Sequence, residues 1–313
     1  QFLALMFTLM AGTAGLPHVI VRFYTVSTMK AARWSGAWAL LFIGLLYFSA
    51  PAYAAFSRFI LMTKVAGSKI AELPAWTTTW VDTGKLQVAD KNGDGILQWN
   101  ELIIANDIVV MATPEIANLG MFVIGLVAAG AMAAALSTAG GLMISISSAY
   151  AHDIYYRVLK PNATEKQRMS VARWSIIVAT LLAGVIALDP PGAITQIVAW
   201  AFALATGTFF PALVLGVWWK RSNAPGVIAG LVVGLAVTLA YIFAAKYGGF
   251  TILGIIDTGA GVFGAIAAFA ANIIVSLSTK APSQKLQDEV INLRYPEQMV
   301  YKSGEVWLDD TKK

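Results

Sequence analysis

Two stretches of this chain, Ala37–Ser57 and Leu119–Tyr150, contain no Asp, Glu, Lys or Arg. Wound as helices, each is long enough to cross the roughly 30 Å hydrocarbon core of a bilayer. Such runs are bounded by short polar connections along the chain, and only 12% of its 313 residues are charged while 58% are hydrophobic. Soluble domains carry roughly a quarter charged residues. The two-residue alternation that marks a membrane β-barrel is absent. The fold class that follows is an all-α polytopic membrane protein in contact with the lipid bilayer.

Seven apolar segments are expected, at about 2–25, 36–60, 118–149, 171–188, 193–219, 224–245 and 259–277. Asp189-Pro190-Pro191-Gly192 and Lys220-Arg221-Ser222-Asn223 punctuate them. This divides the chain into a transmembrane domain over 1–277, with an extracytoplasmic loop over 61–117, and a cytoplasmic tail over 278–313. The pI of about 9.3 does not point to nucleic acid. The excess Lys and Arg lie beside spans, at Arg22, Lys30 and Arg33, at Arg157, Lys160, Lys166, Arg168 and Arg173, and at Lys220 and Arg221. These alternate connections are read as cytoplasmic by the positive-inside rule, which puts the more acidic 61–117 loop outside. With no cysteine, neither a disulfide nor a thiolate metal site is possible. Gln1 opens the sequence inside an apolar run without a signal peptide, so the chain is expected to begin within a longer protein.

Three local patterns carry candidate chemistry. Ala11-Gly12-Thr13-Ala14-Gly15-Leu16-Pro17-His18 places helix breakers midway along an apolar segment. Breaks at membrane depth are tolerated where freed backbone groups face protein or a water-filled cavity, and the start of a second half-helix offers N–H groups to an anion. Thr13, Gly15, Pro17 and His18 are therefore candidate substrate-binding residues. A packed proline kink with a structural histidine is the bland alternative. Arg22 follows as a substrate partner or as an orientation charge.

The span from Gly125 to Gly141 is rich in Ala and Gly, which permits close helix packing. It also holds Ser137 and Thr138, neutral oxygen donors of the kind a dehydrated Na⁺ accepts. No carboxylate lies at mid-depth in any span, which favours Na⁺ over a proton relay. Asp90-Lys91-Asn92-Gly93-Asp94-Gly95-Ile96-Leu97-Gln98-Trp99-Asn100-Glu101 fits the EF-hand loop pattern throughout. Asp90, Asn92, Asp94, Ile96, Gln98 and Glu101 are its candidate calcium ligands. Trp99–Met111 is read as an exiting helix and Thr77–Val88 as a poor entering one; a solvated acidic turn is the alternative. No catalytic constellation is evident, and His18 and His152 fall on separate helices, so no enzyme activity is expected.

Gly12-Thr13-Ala14-Gly15-Leu16-Pro17-His18 with Arg22-Phe23-Tyr24-Thr25, and Ala134-Ala135-Leu136-Ser137-Thr138 running into Ser147 and His152-Asp153-Ile154-Tyr155, resemble the signature of the sodium:solute symporter family, in its acetate-permease-like branch of cation/monocarboxylate symporters. The resemblance implies the second half of an inverted-repeat leucine-transporter-type fold. The first segment would be the discontinuous helix opening the second repeat. It implies half a sodium site, with the Ala134 carbonyl and the Ser137 and Thr138 hydroxyls as ligands. The implied activity is sodium-coupled uptake of a short-chain monocarboxylate such as acetate, in a bacterial plasma (inner) membrane. The calcium-like loop resembles a sub-branch that can work with a small membrane subunit. The reading from another class is a transporter-like membrane sensor, an input module of a signalling protein.

Overall fold

The computed structural model describes residues 1–21, 25–292, 294, 299–302 and 305–308. Helix α1 (Phe2–Gly15) ends at Leu16, whose backbone is extended (φ −74°, ψ 118°), and Pro17 opens the one-turn α2 (Pro17–Ile20). Helix α3 (Met29–Ile60) is capped by the Thr28 hydroxyl, which accepts from the Ala31 amide at 3.1 Å. It runs on as a π-helical turn to Val65. The 61–117 connection then builds α4 (Ala75–Asp82), strand β1 (Leu86–Val88), antiparallel strand β2 (Leu102–Ile104) and α5 (Val109–Ile116). Helix α6 (Met121–Ser148) continues through π-helical geometry to Leu159. Its expected end near 149 is thus too early, and His152 and Asp153 are helical. Helix α7 (Glu165–Leu188) starts from a Thr164–Gln167 capping box. Helices α8 (Ile194–Gly207), α9 (Phe209–Trp218), α10 (Ala224–Gly248), α11 (Gly261–Ser278) and α12 (Gln284–Asn292) follow, then a hairpin of β3 (Met299–Lys302) and β4 (Glu305–Leu308).

Among the described residues, six helical stretches are long and apolar enough to span a membrane, and α1 is a shorter apolar helix. The chain is therefore a multi-pass membrane protein. The first expected segment, 2–25, carries its expected break, at Leu16 between α1 and α2. The expected span 193–219 is present as one membrane-length stretch, Ile194–Trp218, with a local break at Thr208 (φ −120°, ψ −77°).

The chain forms two compact units, Gln1–Arg22 with Ile194–Lys313, and Phe23–Ala193. In the first, α10 and α11 meet along small residues. Gly226, Gly230 and Gly234 recur every four positions, so they line one face of α10. A methyl on Gly230 would sit 3.0 Å from the Ala268 carbonyl oxygen of α11, so the two backbones touch nearly directly. In the second unit, the 61–117 connection has its own apolar centre: Leu61, Val65, Leu86, Leu97, Leu102, Ala112 and Ile116. The membrane-length windows of α3, α6 and α7 bury none of their residues within the structure. Such apolar surface must be covered by lipid or by other protein.

Candidate functional site

Gly12 and Gly15 are three residues apart and share one face of α1. That face meets α8. A methyl on Gly12 would lie 2.6 Å from the Phe202 carbonyl oxygen, and one on Gly15 2.9 Å from that of Ala205. Both glycines are buried. In the same seam the Thr206 hydroxyl donates to the Thr8 carbonyl at 2.7 Å. Beyond Gly15 the chain turns extended at Leu16, and Pro17 takes the first helical position, where its missing N–H removes no bond.

The four expected substrate residues therefore have different roles. Gly15 is a packing position. Thr13 is exposed, and its hydroxyl turns back to donate to the Leu9 carbonyl at 2.7 Å. Pro17 is exposed and His18 half-buried, on the turn after the break. The described part of the second half-helix is the four-residue α2, with Val21 continuing in 3-10 geometry. Arg22 lies outside the described residues.

The second break was not anticipated. Its signal is Gly207-Thr208-Phe209-Phe210-Pro211. Pro211 cannot donate to the Gly207 carbonyl four residues earlier, and its ring crowds that oxygen. Thr208 turns its hydroxyl onto the Leu204 carbonyl at 2.6 Å. The two breaks adjoin, because a methyl on Gly15 would also come 3.1 Å from the Phe210 amide nitrogen. Two interrupted helices thus meet where their backbone groups are released from helical bonding.

Ala134, Ser137 and Thr138 lie in the other unit, on an uninterrupted stretch of α6. The spacings of three and four put all three on one face. They are exposed, among exposed Met132 and Leu136. A helical carbonyl keeps a second lone pair after accepting its amide, so Ala134 can offer oxygen without unwinding. The structure brings these three donors together on one face, on a helix separate from the breaks.

The acidic loop differs from its expected surroundings. It is bounded by β1 and β2, which pair antiparallel with Val88 opposite Leu102. The expected exiting helix over Trp99–Met111 is a 3-10 turn at Trp99–Glu101 followed by β2. The ladder prevails over the helix because Leu86, Leu97 and Leu102 all insert into the apolar centre. The loop satisfies its own carboxylates. Asp90 accepts from the Gly93 and Gly95 amides at 2.7 and 3.0 Å. Buried Glu101 accepts from the Lys91 and Gln98 amides at 2.9 and 3.0 Å. Asp94 accepts from the Ile96 amide at 2.8 Å and from Asn92 and Gln98 side-chain amides at 2.8 and 3.0 Å. The Ile96 amide above all holds the Asp94 carboxyl below the usual aspartate range; partial desolvation opposes this, and the Asn92 and Gln98 amides reinforce it. Gly93 and Gly95 take positive φ of 72° and 71°, open only at steric cost to other residues. Among the described residues, no three acidic or histidine side chains converge at metal-ligand spacing. As built, the donor set serves the loop's amides, and an ion would require Asn92, Asp94 and Gln98 to turn.

Residues 97–234 match the model of the sodium:solute symporter family. An uncharacterised symporter of Cupriavidus necator is 43% identical over 290 residues, covering 89% of this chain and 42% of that protein. An uncharacterised symporter of Bacillus subtilis is 34% identical over 239 residues, 75% of this chain and 40% of that protein. A monocarboxylic acid transporter of Corynebacterium glutamicum is 33% identical over 247 residues, 78% of this chain and 38% of that protein. The chain spans less than half the length of each. These relatives are named for transport rather than for a chemical reaction. With the unbroken α6 motif, the interrupted α1 and the spanning helices, they identify the chain as carrying a sodium:solute symporter family domain.

Proposed function

We propose that this chain supplies the second half of a sodium-coupled symporter for a small monocarboxylate. The observation that carries the reading is the meeting of two helix breaks, after Gly15 and at Thr208, in one apolar unit. Released backbone donors at membrane depth are suited to a small anion. The name of the Corynebacterium relative supports the carboxylate class, and the family description supports Na⁺ as coupling ion. In this reading Pro17 and His18 border the anion, while Ala134, Ser137 and Thr138 hold part of a Na⁺ shell. Ion binding stabilises the outward-open state to which the substrate binds, and rocking of helix groups alternates access. The membrane is the bacterial inner membrane, with the 61–117 connection outside and the tail in the cytoplasm. For the acidic loop the corresponding proposal is a structural Ca²⁺, held by Asp90, Asn92, Asp94, the Ile96 carbonyl, Gln98 and Glu101, bracing the connection.

The test uses the full-length protein in proteoliposomes. Labelled acetate is expected to accumulate when an inward Na⁺ gradient is imposed and not under an equal K⁺ gradient. Uptake that ignores the cation removes sodium coupling. Absence of uptake for acetate, propionate and pyruvate alike removes the monocarboxylate assignment.

A further inference from the structure

The loop joining α9 to α10 is stitched to the end of α11. Arg221 donates one guanidinium nitrogen to the Leu277 and Thr279 carbonyls at 3.4 and 2.7 Å. Asn223 caps α10 by accepting from the Gly226 amide at 3.0 Å. Its amide group meanwhile donates to the Thr279 hydroxyl and the Lys280 carbonyl at 2.8 and 2.9 Å. The tail therefore leaves α11 from a fixed point beside the end of α9. It then forms α12, which packs on α9, and returns Arg294 to that helix. Arg294 donates through Nε and one Nη to the same acceptor, the Val217 carbonyl, at 2.9 and 2.7 Å. Its guanidinium carbon also lies 5.1 Å from the centre of the Trp218 ring.

These contacts are matched in chemistry. Val217 is in the last turn of α9, where carbonyls have no amide further along the helix to accept from and carry the negative end of the dipole. A planar guanidinium can serve one such oxygen with two donors and stack on an aromatic face together; an ammonium cannot. The helix so held is the one that begins at the Thr208 break. Helix α9 also packs on α1, α8, α10 and α11, and the tail adds its hold at the end of α9 far from the Thr208 break.

We propose that the C-terminal tail is an autoinhibitory clamp: Arg294 docks on Val217 and Trp218 and restrains α9 from pivoting at Thr208. The regulatory part rests on the transport reading above; the docking part does not. The test uses the full-length protein with spin labels at Lys220→Cys and Glu289→Cys; these 313 residues contain no other cysteine, and any cysteine elsewhere in the protein is replaced. The unchanged protein is expected to give one narrow distance distribution. Arg294→Ala should broaden it, and Arg294→Lys, which keeps charge but loses the fork, should fall between. Loss of bonds to a charged group corresponds to about a tenfold or larger shift toward the released state. The initial rate of Na⁺-driven uptake should rise severalfold in Arg294→Ala, with Arg294→Lys again intermediate. A narrow distribution in Arg294→Ala overturns the clamp. A broadened distribution with unchanged or slower uptake overturns its inhibitory role. Failure of the unchanged protein to transport overturns the transport reading alone, and the label distances, which need no substrate, still decide the docking.

Discussion

Gly12 does its work by lacking a side chain. Its neighbour across the seam is the Phe202 carbonyl, part of the α8 backbone, which cannot turn away as a flexible side chain would. Gly12→Ala should therefore force α1 from α8 and destabilise the folded protein by about 1–3 kcal/mol, the usual cost of overpacking. A lowered unfolding temperature in detergent with no loss for Gly36→Ala, which lies within α3 and has open space around it, checks this. Glu101 is the opposite case, a buried carboxylate that persists because two amides point at it. Glu101→Gln keeps the shape but sets an N–H against one of those amides, leaving a buried donor unpaired at a cost of about 1–3 kcal/mol. Faster proteolysis within 61–117 is the readout. Asp94 gives this loop a pH dependence of definite sign. Its folded-state pKa lies below its unfolded value, so its contribution is complete above the ordinary aspartate range and is lost as pH falls through the lowered value. Protection of the loop from an acid-active protease should weaken below that range, and Asp94→Asn should flatten the change.

At the scale of elements, α6 shows how far spacing alone reaches. Ala134, Ser137 and Thr138 share a face because they are three and four apart in an unbroken helix, and this was legible before any coordinates. On the proposed sodium site, Ser137→Ala with Thr138→Ala is expected to raise the Na⁺ concentration for half-maximal uptake tenfold or more, a loss of about 1.4 kcal/mol or greater for the two hydroxyls in sum. An unchanged Na⁺ dependence excludes these residues from the ion shell. The break at Gly15–Pro17 was legible for a similar reason, since two glycines and a proline cluster within a few positions. The break at Thr208 was not. Its proline follows the break by three residues, inside an otherwise apolar run, so its effect on the Gly207 carbonyl is visible only when α8 and α9 are seen to part. The flank of the acidic loop, expected as a helix over Trp99–Met111, was misread for a different reason. Its oxygen spacing is that of a calcium loop, but the same Asp and Asn spacing serves turns, and whether a helix or a strand follows depends on where Leu97 and Leu102 are buried, a tertiary fact.

For the whole molecule, the arrangement of charge predicts a topology. Helices α6 and α7 are joined by a connection flanked by Arg157, Lys160, Lys166 and Arg168, and α9 and α10 by one holding Lys220 and Arg221. Between α3 and α6 lies the acidic 61–117 connection instead. Basic residues near span ends are retained on the cytoplasmic side, and an odd number of crossings separates 61–117 from the α6–α7 connection. The same count, passing α7 and then α8 with α9, returns Lys220 and Arg221 to the cytoplasm. Crossing again through α10 and α11 places α12 there as well, on the side where Arg294 meets the end of α9. No cysteine occurs among these 313 residues, so with any cysteine elsewhere in the full-length protein replaced, single engineered thiols test this directly. In intact cells a membrane-impermeant maleimide should label Asn92→Cys, whereas Asn162→Cys and Glu289→Cys should react only after permeabilisation. Labelling of Asn162→Cys from outside would invert the topology. Labelling of Glu289→Cys alone from outside would place the tail across the membrane from the α6–α7 connection, contradicting the even number of crossings between them.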